Sequence, residues 1–339
     1  MRKHPVIFLL ILFFALYTVC SCSSGRTVTE VLGSIGLSSQ VPLFLDSKAV
    51  SATKLNFQFS LPVKVLTVNV EPNYAVESVK EGEIIEVNFV EALPEGERLI
   101  VDVVVEDDQK NTLNVVVPIR ARNDQIPAFT ITEVRTEYSK PKVEFIEIKT
   151  KSSGNLGALR LFAAVHSMEK PLFEFPPVEV SAGEYIVVHL RSLEEGLVNE
   201  TGADRNAAKG TEALDDVRDF WVPGKTKALR KTDAIFFMDQ NNKIIDAVLL
   251  SETAGTSWAK AQMNTAAELF AQQGAWLGSG GYGKIPIPND ALISKSTTTT
   301  RSICRDETKS DTNRAADWYI TKSSNATPGK ANSIKRYEQ

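Results

Sequence analysis

The stretch from Thr232 to Leu250 reads TDAIFFMDQNNKIIDAVLL, and it decides the fold of the C-terminal part of the chain. Two apolar runs, Ala234 to Met238 and Ile244 to Leu250, flank the polar sequence DQNN at 239–242. Two apolar runs joined by a short polar turn are typical of a β-hairpin. We therefore predict a β-rich C-terminal part that is organised around this hairpin.

Two insertions separate the predicted strands of this part. Residues 191–227 carry Gly, Asp, Glu and Lys without a sustained apolar period, so we expect a long surface excursion with a candidate helical turn at 214–220. Residues 251–295 form the second insertion. In it, residues 257–273 place apolar side chains at helical spacing: Trp258, Ala261, Met263, Ala266, Leu269 and Phe270. We predict an α-helix that ends at Gly274 and packs on the edge of the sandwich, where it covers the edge or lines a partner's groove.

Residues 40–121 contain short runs in which apolar and polar side chains alternate. The runs are Val41–Leu45, Lys54–Phe59, Val63–Val70, Ile84–Val90, Arg98–Val105 and Thr112–Ile119. Turn sequences at 94–97 (PEGE) and 107–111 (DDQKN) lie between them. Several short strands with turns between them favour a β-sandwich. The sequences LNFQFSLPVKV and EALPEGERLIVDVVVEDDQKN also resemble bacterial Ig-like surface domains.

The chain from residue 128 to residue 333 resembles the bacterial branch of the lamin-tail domain family. The opening strand pair matches FTITEV at 129–134 and VEFIEI at 143–148, and a later strand matches PVEVSAGEYIVVHL at 177–190. A terminal T-P-G-x-x-N motif follows the tryptophan of WYI at 318–320. The resemblance implies structural roles for ten residues: Glu133, Glu147, Gly183, Asp246, Arg305, Trp318, Thr327, Pro328, Gly329 and Asn332.

Together, these patterns predict an all-β protein with two Ig-like β-sandwich domains in tandem. The first domain would span residues 40–121, a linker 122–127, and the lamin-tail-like domain 128–333, with a short tail at 334–339. The second domain would carry the two insertions as loop and helix additions.

The N-terminus has the pattern of a bacterial lipoprotein signal peptide. A charged start at residues 2–4 precedes an apolar run at 6–19, which is short for a membrane span of about 20 residues. The run ends in VCSCSS at 19–24, which resembles a signal in which cleavage leaves an acylated cysteine. An uncleaved anchor helix and an ordinary secretory signal are the competing interpretations.

The positions before the cleavage point favour Cys22 as the lipidated residue, and Cys20 is the alternative. The signal peptide would then be residues 1–21. Residues 22–39, rich in Ser, Gly and Thr, would form a flexible tether. Cleavage before Cys22 leaves Cys304 without a disulfide partner, and we interpret it as a buried apolar cysteine rather than a reactive thiol.

Composition and motifs argue against several classes of function. The formal net charge of −4 is spread along the chain and gives no basic field for nucleic acid. The glycine-rich sequence 278–284 departs from a phosphate-binding loop, and 239–242 lacks the glycine and glutamate of a calcium loop. Glu144 and Glu147 face opposite sides of a regular strand, which disfavours paired-acid hydrolysis. We predict no catalytic residue, metal or cofactor.

Two functional classes stay open at this stage. The first is a membrane-anchored envelope lipoprotein, periplasmic or surface-exposed, that acts as a non-catalytic binding or structural module. It would contact a protein partner through the insertion loops, and the candidate contact residues are Trp221, Trp258, Trp276 and Tyr282. The second is an envelope hydrolase or a hydrolase accessory protein.

Overall fold

The computed structural model describes residues 41–338. The predicted signal peptide, the whole predicted tether, and both candidate lipidation sites, Cys20 and Cys22, lie outside the described residues. Within residues 41–338 no helix is long and apolar enough to cross a membrane. This part of the chain is an all-β, sandwich-type fold to which one α-helix is added, as the sequence predicts.

One long strand organises the N-terminal sheets. The strands are β1 (Phe44–Ser51), β2 (Lys54–Glu71), β3 (Val76–Lys80), β4 (Gly82–Phe89), β5 (Arg98–Glu106) and β6 (Thr112–Arg120). The first half of β2 pairs with β1 and β4, and its second half pairs with β5. The two runs predicted at 54–59 and 63–70 are therefore one strand that passes between layers. The sequence gives no sign of β3, because VESVK has too few apolar residues.

The described chain has separate hydrophobic clusters. The alternating residues Leu55, Phe57 and Phe59 of β2 are buried, as predicted, in a cluster drawn from residues 55–121. A second and larger cluster is drawn from residues 129–320. The boundaries predicted for the two domains and their linker stay predictions.

The C-terminal strands form two main sheets. They are β7 (Phe129–Arg135), β8 (Phe145–Thr150), β9 (Gly154–Asn155), β10 (Arg160–Ala163), β11 (Phe173–Glu174), β12 (Glu179–Val180), β13 (Tyr185–His189), β14 (Arg218–Trp221), β15 (Asp233–Met238), β16 (Ile244–Ser251), β17 (Leu292–Ile293), β18 (Ile303–Arg305) and β19 (Trp318–Ile320). One sheet has the order β14-β13-β8-β7-β18-β19 and the other β11-β10-β15-β16-β17, while β9 pairs with β12. Helix α1 spans Ala261–Gln273, and short 3-10 turns occupy Pro288–Asp290 and Ala315–Asp317.

The predicted hairpin is present as β15 and β16, which pair antiparallel from Asp233 opposite Leu250. Its turn works without a glycine. Asp239 Oδ1 accepts hydrogen bonds from the backbone N–H groups of Asn241 (2.8 Å) and Lys243 (2.9 Å). Asn242 takes the left-handed conformation at φ +61°, which asparagine tolerates better than most residues.

Helix α1 lies over the face of the five-stranded sheet, not on the sandwich edge that we predicted. The ring of Phe270 packs against Phe236 of the central strand β15 at 5.5 Å, and Phe162 of β10 stacks on Phe236 at 5.1 Å. On the opposite face of β15, Phe237 packs against Phe129 of β7 at 5.2 Å. Both faces of β15 are apolar, so the outer face needs a cover, and the helix provides it.

The first insertion is not only a surface excursion. Its end forms β14, which pairs parallel with β13 and joins the six-stranded sheet. The helical turn predicted at 214–220 is therefore wrong. Phe220 points into the main core while Asp219 and Trp221 point to the other face, and all three are buried, so the strand geometry is fixed from both sides. In the second insertion, β17 similarly extends the five-stranded sheet beside β16.

Candidate functional site

The six-stranded sheet has one apolar face and one polar face. Directly opposed residues of paired strands share a face. Val188, Ile146, Val134 and Ile303 therefore lie on one face, and all belong to the main hydrophobic cluster. The opposite face carries a row that crosses the whole sheet from β14 to β19: Asp219, Val187, Glu147, Glu133, Cys304 and Tyr319. We call this side of the sheet the polar face.

A pair of buried carboxyl groups lies at the centre of the polar face. Glu133 of β7 and Glu147 of β8 are cross-strand partners next to a register irregularity, and neither reaches solvent. Glu133 accepts hydrogen bonds from the Ser302 hydroxyl and, through Oε2, from the Thr327 backbone N–H at 2.9 Å. Glu147 accepts from the Thr132 hydroxyl at 2.6 Å. All the donors to this pair are neutral groups.

Burial raises the pKa of both carboxyl groups. For Glu133 the hydrogen bonds from Ser302 and Thr327 oppose this rise in pKa. For Glu147 burial raises the pKa well above its ordinary value, and the charge of Glu133 raises it further. Two buried carboxylates of like charge disfavour simultaneous ionisation. The pair therefore favours a state in which at least one carboxyl group is protonated.

The C-terminal segment 327–332 lies over this pair and is bonded to it. Besides the Thr327 contact, the Gly329 backbone N–H donates to Glu147 Oε2 at 2.5 Å. Asn332 Nδ2 donates to the carbonyl oxygens of Thr132 (2.9 Å) and Arg305 (3.0 Å). We call residues 327–332 the covering segment, because its polar groups close the polar face above Glu133 and Glu147.

A third carboxyl group, that of Glu307, fixes the other side of the covering segment. Its Oε2 accepts the Asn332 backbone N–H at 2.7 Å, and its Oε1 accepts from Lys149 Nζ at 3.0 Å and from the Tyr185 hydroxyl at 2.9 Å. Partial burial raises the pKa of Glu307, but these hydrogen bonds outweigh burial and the net pKa is lowered. Glu307 is therefore a charged anchor, in contrast to the buried pair.

A buried ion pair links the two main sheets. Arg305 Nη2 of β18 donates to Asp246 Oδ2 of β16 at 2.8 Å, and the same oxygen accepts the Ile131 backbone N–H at 2.6 Å. Burial raises the pKa of Asp246 to about 6, against the opposing charge of Arg305. The guanidinium carbon of Arg305 also lies 4.5 Å from the centre of the Trp318 ring. Arg305 thus contacts both Asp246 and Trp318, and the resemblance singles out all three residues.

The first insertion is fixed to the polar face by His189, Asp219 and Trp221. The imidazole of His189 stacks on the Trp221 indole with 3.9 Å between ring centres, and its Nε2 lies 2.9 Å from Asp219 Oδ1. Asp219 Oδ2 accepts the Leu214 backbone N–H at 2.7 Å. Burial lowers the pKa of His189, in spite of the neighbouring Asp219. A neutral imidazole and a fixed carboxylate thus secure the insertion.

The polar face has the residue types of an active site but not its accessibility. Paired carboxyl groups catalyse glycoside hydrolysis only when a substrate reaches them, and here the chain's own covering segment occupies that position. Burial strongly raises the pKa of Cys304, so the thiol stays protonated and is a poor nucleophile. Within residues 41–338 no group of three or more His, Cys, Asp or Glu side chains is arranged to ligate a metal ion. The arrangement is suited to closing the fold.

A family model described as "TP_1001_2nd: protein second domain" matches residues 127–320, which is more than half of the chain. The chain belongs to this family. The matched region runs from just before β7 to the last residue of β19, so it includes both main sheets and both insertions. The covering segment, residues 327–332, lies beyond the C-terminal end of the matched region.

Two further proteins are similar to this chain. An uncharacterized protein of Treponema pallidum (strain Nichols) is 28% identical over 254 residues, which are 73% of this chain and 63% of that protein. The chain thus spans less than two thirds of the length of this relative. The N-terminal part of the bacterial S-layer protein SbsC aligns with a TM-score of 0.25 and 12% identity, over 66% of this chain and 46% of that one.

The residues singled out by the resemblance fall into connected groups. Glu133 and Glu147 meet Thr327 and Gly329, on either side of Pro328, and Asp246 meets Arg305 and Trp318. Gly183 lies apart, in the turn before β13, at φ +84° with its N–H bonded to Thr150 O. The sequence gives no sign of the Glu307–Lys149–Tyr185 group. Its residues come from three distant places, and only the fold brings them together.

Three of the four residues predicted to contact a partner are buried in the structure. Trp221, Trp258 and Trp276 are only 5%, 7% and 0% exposed, so they anchor the insertions and do not present a contact surface. The indole N–H groups of Trp258 and Trp276 each donate to a backbone carbonyl at 2.9 Å, which explains how these large rings are buried without an unpaired donor. Tyr282 is 75% exposed, in the glycine-rich loop after α1.

Proposed function

We propose that the protein is a lipid-anchored bacterial envelope lipoprotein whose lamin-tail-like part is a non-catalytic binding or structural module. The observation that carries the non-catalytic part is the closure of the polar face. Glu133 and Glu147 are fully buried and are bonded to the covering segment, so the residues that carry the lamin-tail resemblance serve to hold the chain together. The anchor rests on the sequence around Cys22.

Recognition would then take place on the outside of the insertions. Tyr282 and Ile285 are 75% and 53% exposed on one loop. The Tyr282 ring lies against Gly274, the residue that ends α1 at φ +66°, since a Cβ added there would come within 2.6 Å of the ring. An exposed aromatic ring that is supported on one side loses little freedom on binding, and loops on a rigid β scaffold are common sites of recognition. We assign the loop 278–285 as the contact surface of this module.

The anchor is tested by incorporation of radiolabelled palmitate into the full-length protein in the native bacterium. We expect label in the wild type and in Cys20→Ser, and none in Cys22→Ser. Equal label in both variants would contradict the assigned cysteine, and no label in the wild type would contradict the anchor. Protease shaving of intact cells then separates a surface location from a periplasmic one.

The contact surface is tested by crosslinking in the native envelope followed by mass spectrometry. The variant Tyr282→Ser/Ile285→Ser removes the exposed apolar groups of the loop, and Val116→Ser is the matched control on the exposed face of β6. We expect the loop variant to lose a specific crosslinked protein that the control retains. The same crosslinks from both variants would exclude this loop as the contact surface.

A further inference from the structure

A cleft of about 430 Å³ opens where β1 and the end of β6 face the C-terminal sheets. This volume falls within the range of small-molecule sites. One wall carries Lys48, Arg120 and Arg122, and the other carries Arg160, Glu174 and the hairpin-turn amides. Four basic side chains and Glu174 line the cleft, and the carboxylates of Asp124 and Asp239 lie beside Arg122, so the local formal charge is +1. The cleft thus has a small excess of basic groups, although the whole chain has a net charge of −4.

Contacts within the fold orient the guanidinium groups, yet these contacts leave donors free. Arg122 uses only Nε, which bonds both carboxylate oxygens of Asp124 at 2.7 and 2.9 Å. Arg120 bonds Glu174 through Nε and the Gly96 carbonyl through Nη1. In the described part of the chain, the remaining Nη groups of these two arginines have no hydrogen-bond partner.

Arg160 adds a further unpaired donor. Its Nη2 donates to the Asp239 carbonyl and, at 2.8 Å, to Asn242 Oδ1. Its Nε is shielded from solvent and has no partner among the described residues. A shielded Nε cannot meet a ligand, so the donor that Arg160 offers to the cleft is Nη1, which is not shielded and has no partner among the described residues.

The two walls of the cleft are fixed relative to each other. Gln240 Nε2 donates to the Ala121 carbonyl at 2.7 Å, and its Oε1 accepts the Asn123 backbone N–H at 2.8 Å. Asn123 Nδ2 in turn donates to the carbonyls of Asn155 (2.9 Å) and Gly157 (2.8 Å). Because these contacts hold the walls, a ligand would find the basic groups already in place.

We propose that this cleft binds a small organic anion that carries two or more carboxylate or phosphate groups. Planar guanidinium groups pair with both kinds of oxyanion through two parallel hydrogen bonds. A ligand with two or more charged groups can pair with basic groups on both walls at once. This site is distinct from the loop assigned above as a contact surface, and it does not depend on the lipid anchor.

The test is isothermal titration calorimetry of the purified full chain at low ionic strength, with citrate and pyrophosphate as probes and acetate as the singly charged control. We expect saturable binding of citrate, pyrophosphate or both, and weaker binding in added salt. Binding of only one probe identifies carboxylate or phosphate as the ligand chemistry. If the heat of titration does not saturate with either citrate or pyrophosphate up to millimolar concentration, the proposal is wrong.

Two variants and a control locate the binding. Lys48→Gln and Arg122→Gln each remove one charge from the cleft, and both side chains are peripheral to the core. We expect each variant to bind about tenfold more weakly, the effect of one lost charge-assisted hydrogen bond. Lys64→Gln, an exposed lysine on β2 outside the cleft, should bind like the wild type. If the cleft variants also bind like the wild type, the anion lies elsewhere and the proposal is wrong.

Discussion

Replacement of Glu147 by Gln should change the pH dependence of stability in a defined direction. The raised pKa of Glu147 means that the folded state binds a proton more tightly than the unfolded state, whose carboxyl has the ordinary pKa of 4.5. Its contribution to stability is therefore present below pH 4.5 and is lost as the pH rises through the folded pKa. The loss amounts to at most about 1.4 kcal/mol in the free energy of unfolding for each pH unit in that range.

The amide should fit the site of the protonated acid. Its oxygen can accept the Gly329 N–H, which donates to Glu147 Oε2 at 2.5 Å. Its NH₂ can face the Thr132 hydroxyl, which also lies 3.4 Å from the backbone carbonyl of residue 147 and can turn toward it. We therefore expect Glu147→Gln to match the wild type near pH 4 and to become more stable than the wild type as the pH rises toward 8.

The assay is urea unfolding, monitored by tryptophan fluorescence from acidic pH below 4 up to pH 8. Glu307→Gln is the matched control, because the lowered pKa of Glu307 gives the opposite sign: the variant should lose stability at neutral pH and regain it as the pH falls below 4.5. A difference between Glu147→Gln and the wild type that does not vary with pH would refute the raised pKa of Glu147.

Three further predictions follow from the packing. Phe270→Ala should lower the free energy of unfolding by about 3–5 kcal/mol in urea unfolding, because the ring fills the interface between α1 and β15, whereas the half-buried Leu269→Ala should cost less. The Cys304 thiol should resist a thiol reagent in the native protein and react only on unfolding, since it is buried and protonated; rapid native labelling would contradict its position. His189→Gln should reduce the loss of stability as the pH falls below about 6.5, because the lowered pKa of His189 makes the folded state resist protonation. If the free energy of unfolding of the variant falls with pH as steeply as that of the wild type, this role of His189 is contradicted.

The sequence predicted the elements whose side chains follow a simple period. The alternation of β2 and the apolar runs around 239–242 correspond to real strands, and the apolar spacing of residues 257–273 corresponds to α1. The position of α1 was not predictable, because AIFFM shows that β15 is apolar on both faces but does not show which element covers the second face. Strand β14 has four residues, RDFW, which is too short for a periodic signal, and its parallel partner β13 lies far away in the sequence.

For the candidate site, some of the residues could be predicted from the sequence, but their contacts could not. The resemblance points to Glu133 and Glu147, but the residues that satisfy them, Ser302 and Thr327, lie 169 and 194 positions from Glu133. The odd separation of Glu144 and Glu147 concerns only side chains that follow one another along one part of the chain. It said nothing about Glu133, which comes from another strand. The tryptophans were misjudged because glycine and proline neighbours indicate loops, and these loops fold back onto the sheets.

The first insertion and the covering segment both lie against the polar face, and they meet at Gly329. Their contact explains why the TPG motif has a glycine at this position. Gly329 has φ +84°, a conformation that side chains disfavour, and a Cβ added there would lie 2.5 Å from Val217 Cγ2. Val217 stands immediately before β14, at the end of the first insertion, while Gly329 donates to Glu147 from the covering segment. Any side chain at 329 would separate the insertion from the covering segment and pull the N–H away from the buried acid. Backbone conformation, close packing and the hydrogen bond to Glu147 thus all require a glycine at position 329. Because the polar face is closed in this way, we interpret it as a structural centre and look for recognition on the surfaces around it.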